Sequence, residues 1–170
     1  ISLNTGEINL FNESKNGNLN KKYPNDNFAK LGDNYVVSSY KAGFTDPKLG
    51  SSSGWMAKTN VEDEFLQIKT SSNMIELVKG IVIKGVETGY GKHYIKKFKV
   101  FVSRNEDSWV NVGTFDTEWK DQQSSLTQKK IYFNKTVEAK FIRIYAVSWE
   151  GSVSLRVGYI KDLSGIVNCV

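Results

Sequence analysis

The 170-residue sequence predicts an all-β fold: an antiparallel β-sandwich of jelly-roll type, preceded by a polar N-terminal extension. Three observations predict it. Short β-branched and aromatic runs recur at roughly eight- to twelve-residue spacing, with Gly, Asn, Asp and Ser between them. No stretch sustains a 3.6-residue apolar period, so no long amphipathic helix is expected. The composition is rich in Gly, Ser, Asn and aromatic residues, which favour turns and strands.

Residues 1–32 are polar and Asn/Lys-rich, and read as an extended arm with one strand around 7–11. The sandwich is expected over 33–165 and a C-terminal tail over 166–170. Residues 35–40 (Tyr-Val-Val-Ser-Ser-Tyr) read as a strand. Gly43, Asp46-Pro47, Gly50 and a Ser run then punctuate a loop over 41–54. Trp55-Met56-Ala57 begins a new ordered piece, and Phe65-Leu66-Gln67-Ile68 is a short strand. Residues 75–83 read as a turn, marked by Lys79-Gly80, leading into a buried strand. Three glycines make 85–93 a second prominent loop. Residues 94–103 alternate, with Ile95, Lys97, Lys99 and Phe101 on one side and Tyr94, Phe98, Val100 and Val102 mostly on the other. Lys96, Lys97 and Lys99 are expected on a solvated outer face. A tight turn over 104–108 precedes a strand over 109–115, and a polar excursion fills 117–130. Strands at 131–133, 141–145 and 153–160 complete the set. Phe141, Arg143 and Tyr145 share one face, with Ile142 and Ile144 on the other.

Four of these blocks carry a family likeness. They are Val37-Ser38-Ser39-Tyr40; Gly54-Trp55-Met56-Ala57-Lys58 followed by Glu64-Phe65-Leu66-Gln67-Ile68; the run from Tyr94 to Val100 continuing through Ser103 to Trp109; and Phe141-Ile142-Arg143-Ile144 with Trp149 and Leu155-Arg156. In this order the chain resembles the discoidin family, the coagulation factor V/VIII C-type domain with a galactose-binding-like β-sandwich. The resemblance spans residues 33–159. It implies a module that binds surfaces and sugars without catalysis. The family commonly has a cysteine near each end; Cys169 could be the second, but the first has no counterpart here. Gly158 stands where the family often has an acidic residue.

Large aromatics dominate sandwich cores, so Trp55, Trp109 and Trp149 are expected to pack, and Arg143 and Arg156 to pair with acidic or backbone acceptors. Catalytic constellations are missing. There is one histidine, His93, and no Gly-x-Ser-x-Gly elbow. The Gly89-Tyr90-Gly91-Lys92 run lacks the spacing of a phosphate loop. The acidic run Glu62-Asp63-Glu64 reads as a solvated turn rather than a calcium site. No enzyme activity, metal or cofactor is expected. The formal net charge of +5 is spread along the chain without a basic stripe, which argues against nucleic acid. No apolar run reaches the ~20 residues of a membrane-spanning helix. Asn12-Glu13-Ser14 and Asn134-Lys135-Thr136 fit the N-glycan acceptor pattern, and the expected location is secreted or cell-surface.

Recognition by loops remains. The family places ligands at one end of the sandwich, and the resemblance maps those loops to 40–46, 49–54 and 87–93. The candidate ligand-binding residues are Tyr40, Lys41, Phe44, Glu87, Tyr90, Lys92 and His93. Rings beside lysines suit an anionic phospholipid surface, or a glycan stacked on a ring and bonded by polar neighbours. An alternative is a protein-interaction module within a larger extracellular assembly. A third arrangement folds Phe44 and Tyr90 back to seal the sandwich end.

Overall fold

The computed structural model describes residues 28–164. Most of the expected arm, its strand around 7–11, the Asn12 acceptor tripeptide and Cys169 lie outside the described residues. Within them the chain forms β1 (Ala29–Lys30), β2 (Tyr35–Val37), β3 (Thr45–Asp46), β4 (Gly54–Met56), β5 (Phe65–Lys69), β6 (Glu76–Lys84), β7 (Val86–Thr88), β8 (Gly91–Ser103), β9 (Trp109–Asp116), β10 (Lys129–Ala139), β11 (Phe141–Glu150) and β12 (Ser154–Lys161). One sheet runs β1-β2-β5-β11-β8-β7, with β9 also paired to β8; the other runs β10-β6-β12-β4-β3. The strand ladders are antiparallel, as expected for a sandwich.

Side chains alternate between faces along each strand, so every second residue points into the layer between the sheets. Leu66 and Ile68 of β5, Ile142 and Ile144 of β11, and Val100 and Val102 of β8 fill that layer from the seven-stranded side. Ile81 and Ile83 of β6, with Leu155 and Val157 of β12, meet them from the five-stranded side. The alternate residues of the same central strands are also buried. Phe65, Phe101, Tyr145 and Trp109 form a second cluster on the outer face of the seven-stranded sheet, flanked by Phe28, Val36 and Phe141. Phe28 joins it by an edge-on contact with Phe65, ring centroids 5.0 Å apart, and Ala29–Lys30 pairs with β2, so the sandwich takes in residues ahead of 33.

Several local expectations are corrected. Lys79-Gly80 is not a turn: β6 runs unbroken through it. A Cβ at Gly80 would lie 2.4 Å from the Ile131 carbonyl oxygen, so the glycine serves the close approach of β10. Residues 85–93 are not an open loop but β7, a two-residue turn and the start of β8. Ile95 does not share a face with Lys97. It joins Phe98 in the inner core, because the β8–β11 ladder slips between Ala146 and Trp149. Phe101 is buried in the second cluster instead of lying on a solvated face. Lys96 and Lys97 are exposed, whereas Lys99 is partly buried and pairs with Asp63 at 2.8 Å. Trp55 and Trp109 are buried, and Trp149 packs half-buried against the core.

Candidate functional site

The antiparallel registers bring four connections to one end of the sandwich: residues 38–44, 57–64, the β7–β8 turn, and 151–153 between β11 and β12. The 47–53 connection, expected there from the sequence, instead leaves Gly54 in the opposite direction, because Met56 and not Gly54 pairs beside the 151–153 turn, and it lies alongside Val157 and Gly158 of β12. Hydrogen bonds tie these connections to one another. The buried Glu64 carboxylate accepts from Ser38 Oγ at 2.6 Å, Ser39 Oγ at 2.7 Å and Thr59 Oγ1 at 2.5 Å. Ser39 Oγ in turn accepts from the Lys58 amide, and the buried Trp55 indole donates to the Ser39 carbonyl at 2.8 Å. Gly43 takes φ +88, closing a tight turn in which the Phe44 amide donates to the Lys41 carbonyl.

The 47–53 loop is held by cations of this chain. Arg156 Nε donates to the Gly85 carbonyl and its Nη1 to the Ser51 carbonyl, each at 2.9 Å. Lys84 Nζ donates to the Leu49 carbonyl at 3.3 Å. Burial, and next the neighbouring Arg156 charge, lower the Lys84 ammonium pKa. Arg156 thus meets backbone acceptors, as its sequence context suggests. Arg143 does not. It sits on the outer face of the seven-stranded sheet, away from these loops, and its partners are Gln67 and Tyr145 side chains.

His93 fastens the hairpin to the β11–β12 turn. Its Nδ1 accepts from the Ser152 amide at 3.0 Å, which leaves the proton of the neutral ring on Nε2, facing Thr88 Oγ1 at 2.9 Å. Gly151, at φ +71, gives the ring room, since a Cβ there would lie 2.4 Å from Nδ1. Burial, and then the Lys41 charge, hold the imidazole below its ordinary pKa of 6.5.

The candidate residues divide accordingly. Tyr90, at the β7–β8 tip, is 99% exposed, and Tyr40 is 41% exposed. Lys41 is exposed and Phe44 half-buried. Glu87 and Lys92 pair across the hairpin at 3.3 Å, and His93 spends both ring nitrogens within the fold. Sequence reasoning missed Val61, half exposed in the 57–64 connection at this same end. Its signal was a lone apolar residue between Asn60 and Glu62. It also missed Glu64, whose acidic run reads as solvated until Ser38, Ser39 and Thr59 are brought to it in space. Among the described residues, no group of three or more His, Cys, Asp or Glu is placed to hold a metal ion.

The family model described as F5/8 type C domain matches residues 33–158. Lactadherin of Bos taurus is 29% identical over 119 residues, covering 64% of this chain and 26% of that protein. Neuropilin-1 of Gallus gallus is 31% identical over 107 residues, covering 61% of this chain and 12% of that protein. The chain thus spans about a quarter or less of these curated relatives. Discoidin II from Dictyostelium discoideum superposes with a TM-score of 0.61 at 17% identity, over 74% of this chain and 53% of that one. A Clostridium perfringens CBM32-5 module in complex with GalNAc-β-1,3-galactose superposes with a TM-score of 0.59 at 14% identity, over 81% of this chain and 98% of that one. At these identities the structural likeness speaks to fold.

Proposed function

The chain belongs to the F5/8 type C domain family, and from that premise we propose that it is a non-catalytic extracellular recognition module whose loop end binds a cell surface, with an anionic phospholipid membrane as its ligand. The observation that carries this reading is Tyr90, 99% exposed at the tip of a paired hairpin. An aromatic ring with a polar edge held clear of the fold suits the membrane interface, where one side of the residue is apolar and the other wet. Tyr40 and Val61 add exposed apolar surface at the same end, and Lys41 adds a cation. A lysine near an anionic leaflet contributes about 1 kcal/mol.

A glycan is the second reading. It is favoured by solved neighbours of this fold, one in complex with GalNAc-β-1,3-galactose and another with galactose. Against it, the polar groups that would bond sugar hydroxyls are already engaged, Glu87 with Lys92 and His93 with Thr88 and Ser152.

Sedimentation with phosphatidylserine-containing vesicles tests the first reading, with phosphatidylcholine vesicles as control. Tyr90→Ala is expected to weaken binding roughly tenfold, equivalent to ~1.4 kcal/mol, with no change in melting temperature. Equal binding by wild type and variant, or binding only to a glycan array or a captured protein, rejects it.

A further inference from the structure

A second concave surface lies at the opposite end, on the outer face of the seven-stranded sheet. It is an open cleft of about 770 Å³, within the ~300–1,000 Å³ common for ligand sites. Its floor includes Val36 of β2 and Gln67 of β5, which are register partners. Gln67 is 2% exposed and held from both sides: Oε1 accepts from Arg143 Nε at 2.6 Å, and Nε2 donates to Glu106 Oε2 at 2.6 Å. A polar floor fixed this way costs little to order when a ligand arrives.

Three lysines stand around this floor: Lys30, Lys69 and Lys140. Among the described residues none of them has a carboxylate within ion-pair distance, whereas Lys48, Lys92, Lys99 and Lys161 elsewhere all do. The buried Arg143 behind Gln67 adds a fourth positive charge. Asp33 and Glu106 are the acidic groups of the lining, so positive charge prevails. The Asn34 and Asn73 amides are exposed at the mouth, and the Phe141 ring is half-exposed beside Lys140.

We propose that this cleft is a second binding site, for an acidic saccharide bearing sulfate or carboxylate groups. Each part of such a ligand finds its chemical counterpart. Lysines meet the anionic groups as point charges, amides donate to and accept from hydroxyls, and an aromatic ring covers the apolar face of a sugar. The site is independent of the membrane reading, because none of its residues belongs to the loop end.

Calorimetric titration of the whole chain with a heparin-derived hexasaccharide at low ionic strength tests it. A neutral hexasaccharide and hexaglutamate serve as comparison ligands. Saturable binding to the sulfated sugar alone is expected. Lys69→Glu with Lys140→Glu should weaken it by roughly tenfold or more, as loss and reversal of two close charges implies. Lys96→Glu with Lys97→Glu makes the same change in net charge on exposed lysines elsewhere and should cost much less. Tyr90→Ala should leave the affinity unchanged. If the charge-reversed cleft does not fold, Lys69→Gln with Lys140→Gln replaces it and should still weaken binding. Equal losses from both lysine pairs, hexaglutamate binding as tightly as the sugar, or no saturable binding would overturn the proposal.

Discussion

Arg143 is 1% exposed, yet among the described residues no carboxylate lies within ion-pair distance of it. A buried cation of this kind is costly unless its surroundings replace water. Here Gln67 and Tyr145 accept its hydrogen bonds at 2.6 and 2.9 Å. The rings of Phe28, Phe65 and Trp109 lie 4.8, 4.6 and 4.4 Å from its guanidinium carbon. Planar guanidinium stacks on aromatic faces, and an ammonium does not reproduce that geometry. Arg143→Ala would strip Gln67 and Tyr145 of their donor and leave a cavity among three rings. It is expected to cost about 3–5 kcal/mol by urea denaturation, the range for truncating a large buried side chain, with Arg143→Lys recovering less than half. A smaller loss for Arg143→Ala would mean the rings collapse and the cation is dispensable. His93 makes the complementary case, a side chain kept neutral. Its folded pKa lies below its ordinary 6.5, so between those two values the unfolded chain binds more protons than the folded one. Stability from this residue is therefore full above about pH 6.5, is lost as pH falls from there to the folded pKa, and changes no further below it. Melting of wild type and His93→Gln, followed from about pH 7.5 to 5.5, should show the larger decline in wild type. Parallel declines would remove His93 as the cause.

At the scale of the element, Glu64 links β5 to two loops. Its two carboxylate oxygens gather hydroxyls from Ser38, Ser39 and Thr59, which fixes how the 38–44 and 57–64 segments leave the sheet. Glu64→Ala would leave three donors without their acceptor, at an expected cost of about 1–3 kcal/mol. Amide exchange would then quicken first around Tyr40 and Val61, while the β11–β8 ladder keeps its protection until global unfolding. Uniform quickening across both sheets would show that Glu64 supports the core instead. Such elements mark the boundary of what the sequence reveals. Period-two alternation exposed the two faces of β11, because Phe141, Arg143 and Tyr145 differ so plainly from Ile142 and Ile144. It could not expose the slip that turns Ile95 inward, because a bulge depends on the partner strand. Gly80 looked like a turn because its close neighbour, the Ile131 carbonyl, is some fifty residues away in sequence, a contact that only the fold creates. The loop tips were legible as Gly-punctuated aromatic segments. Which tip residues stay free was not: His93 and Lys92 are consumed by partners that the hairpin register supplies.

For the whole molecule, the question is whether its two ends act on each other. The ten-residue β11 runs between them, and at ~3.3 Å per residue it sets them about 30 Å apart. Their shared influence is the electric field of a chain with formal net charge +5. That field is short at physiological ionic strength, where the screening length is about 8 Å, and reaches about 30 Å at 0.01 M salt. Reversing Lys69 and Lys140 should therefore leave vesicle binding by the Tyr90 end unchanged near 0.15 M salt and weaken it only near 0.01 M. Lys41→Glu, at the loop end itself, should weaken it at both. A cleft variant that impairs vesicle binding at both salt concentrations would mean the ends communicate through the packed sheet, in which Phe65 and Tyr145 on one face share strands with Leu66 and Ile144 on the other. Measuring the variants across salt thus separates coupling by charge, which screening removes, from coupling by packing, which it does not.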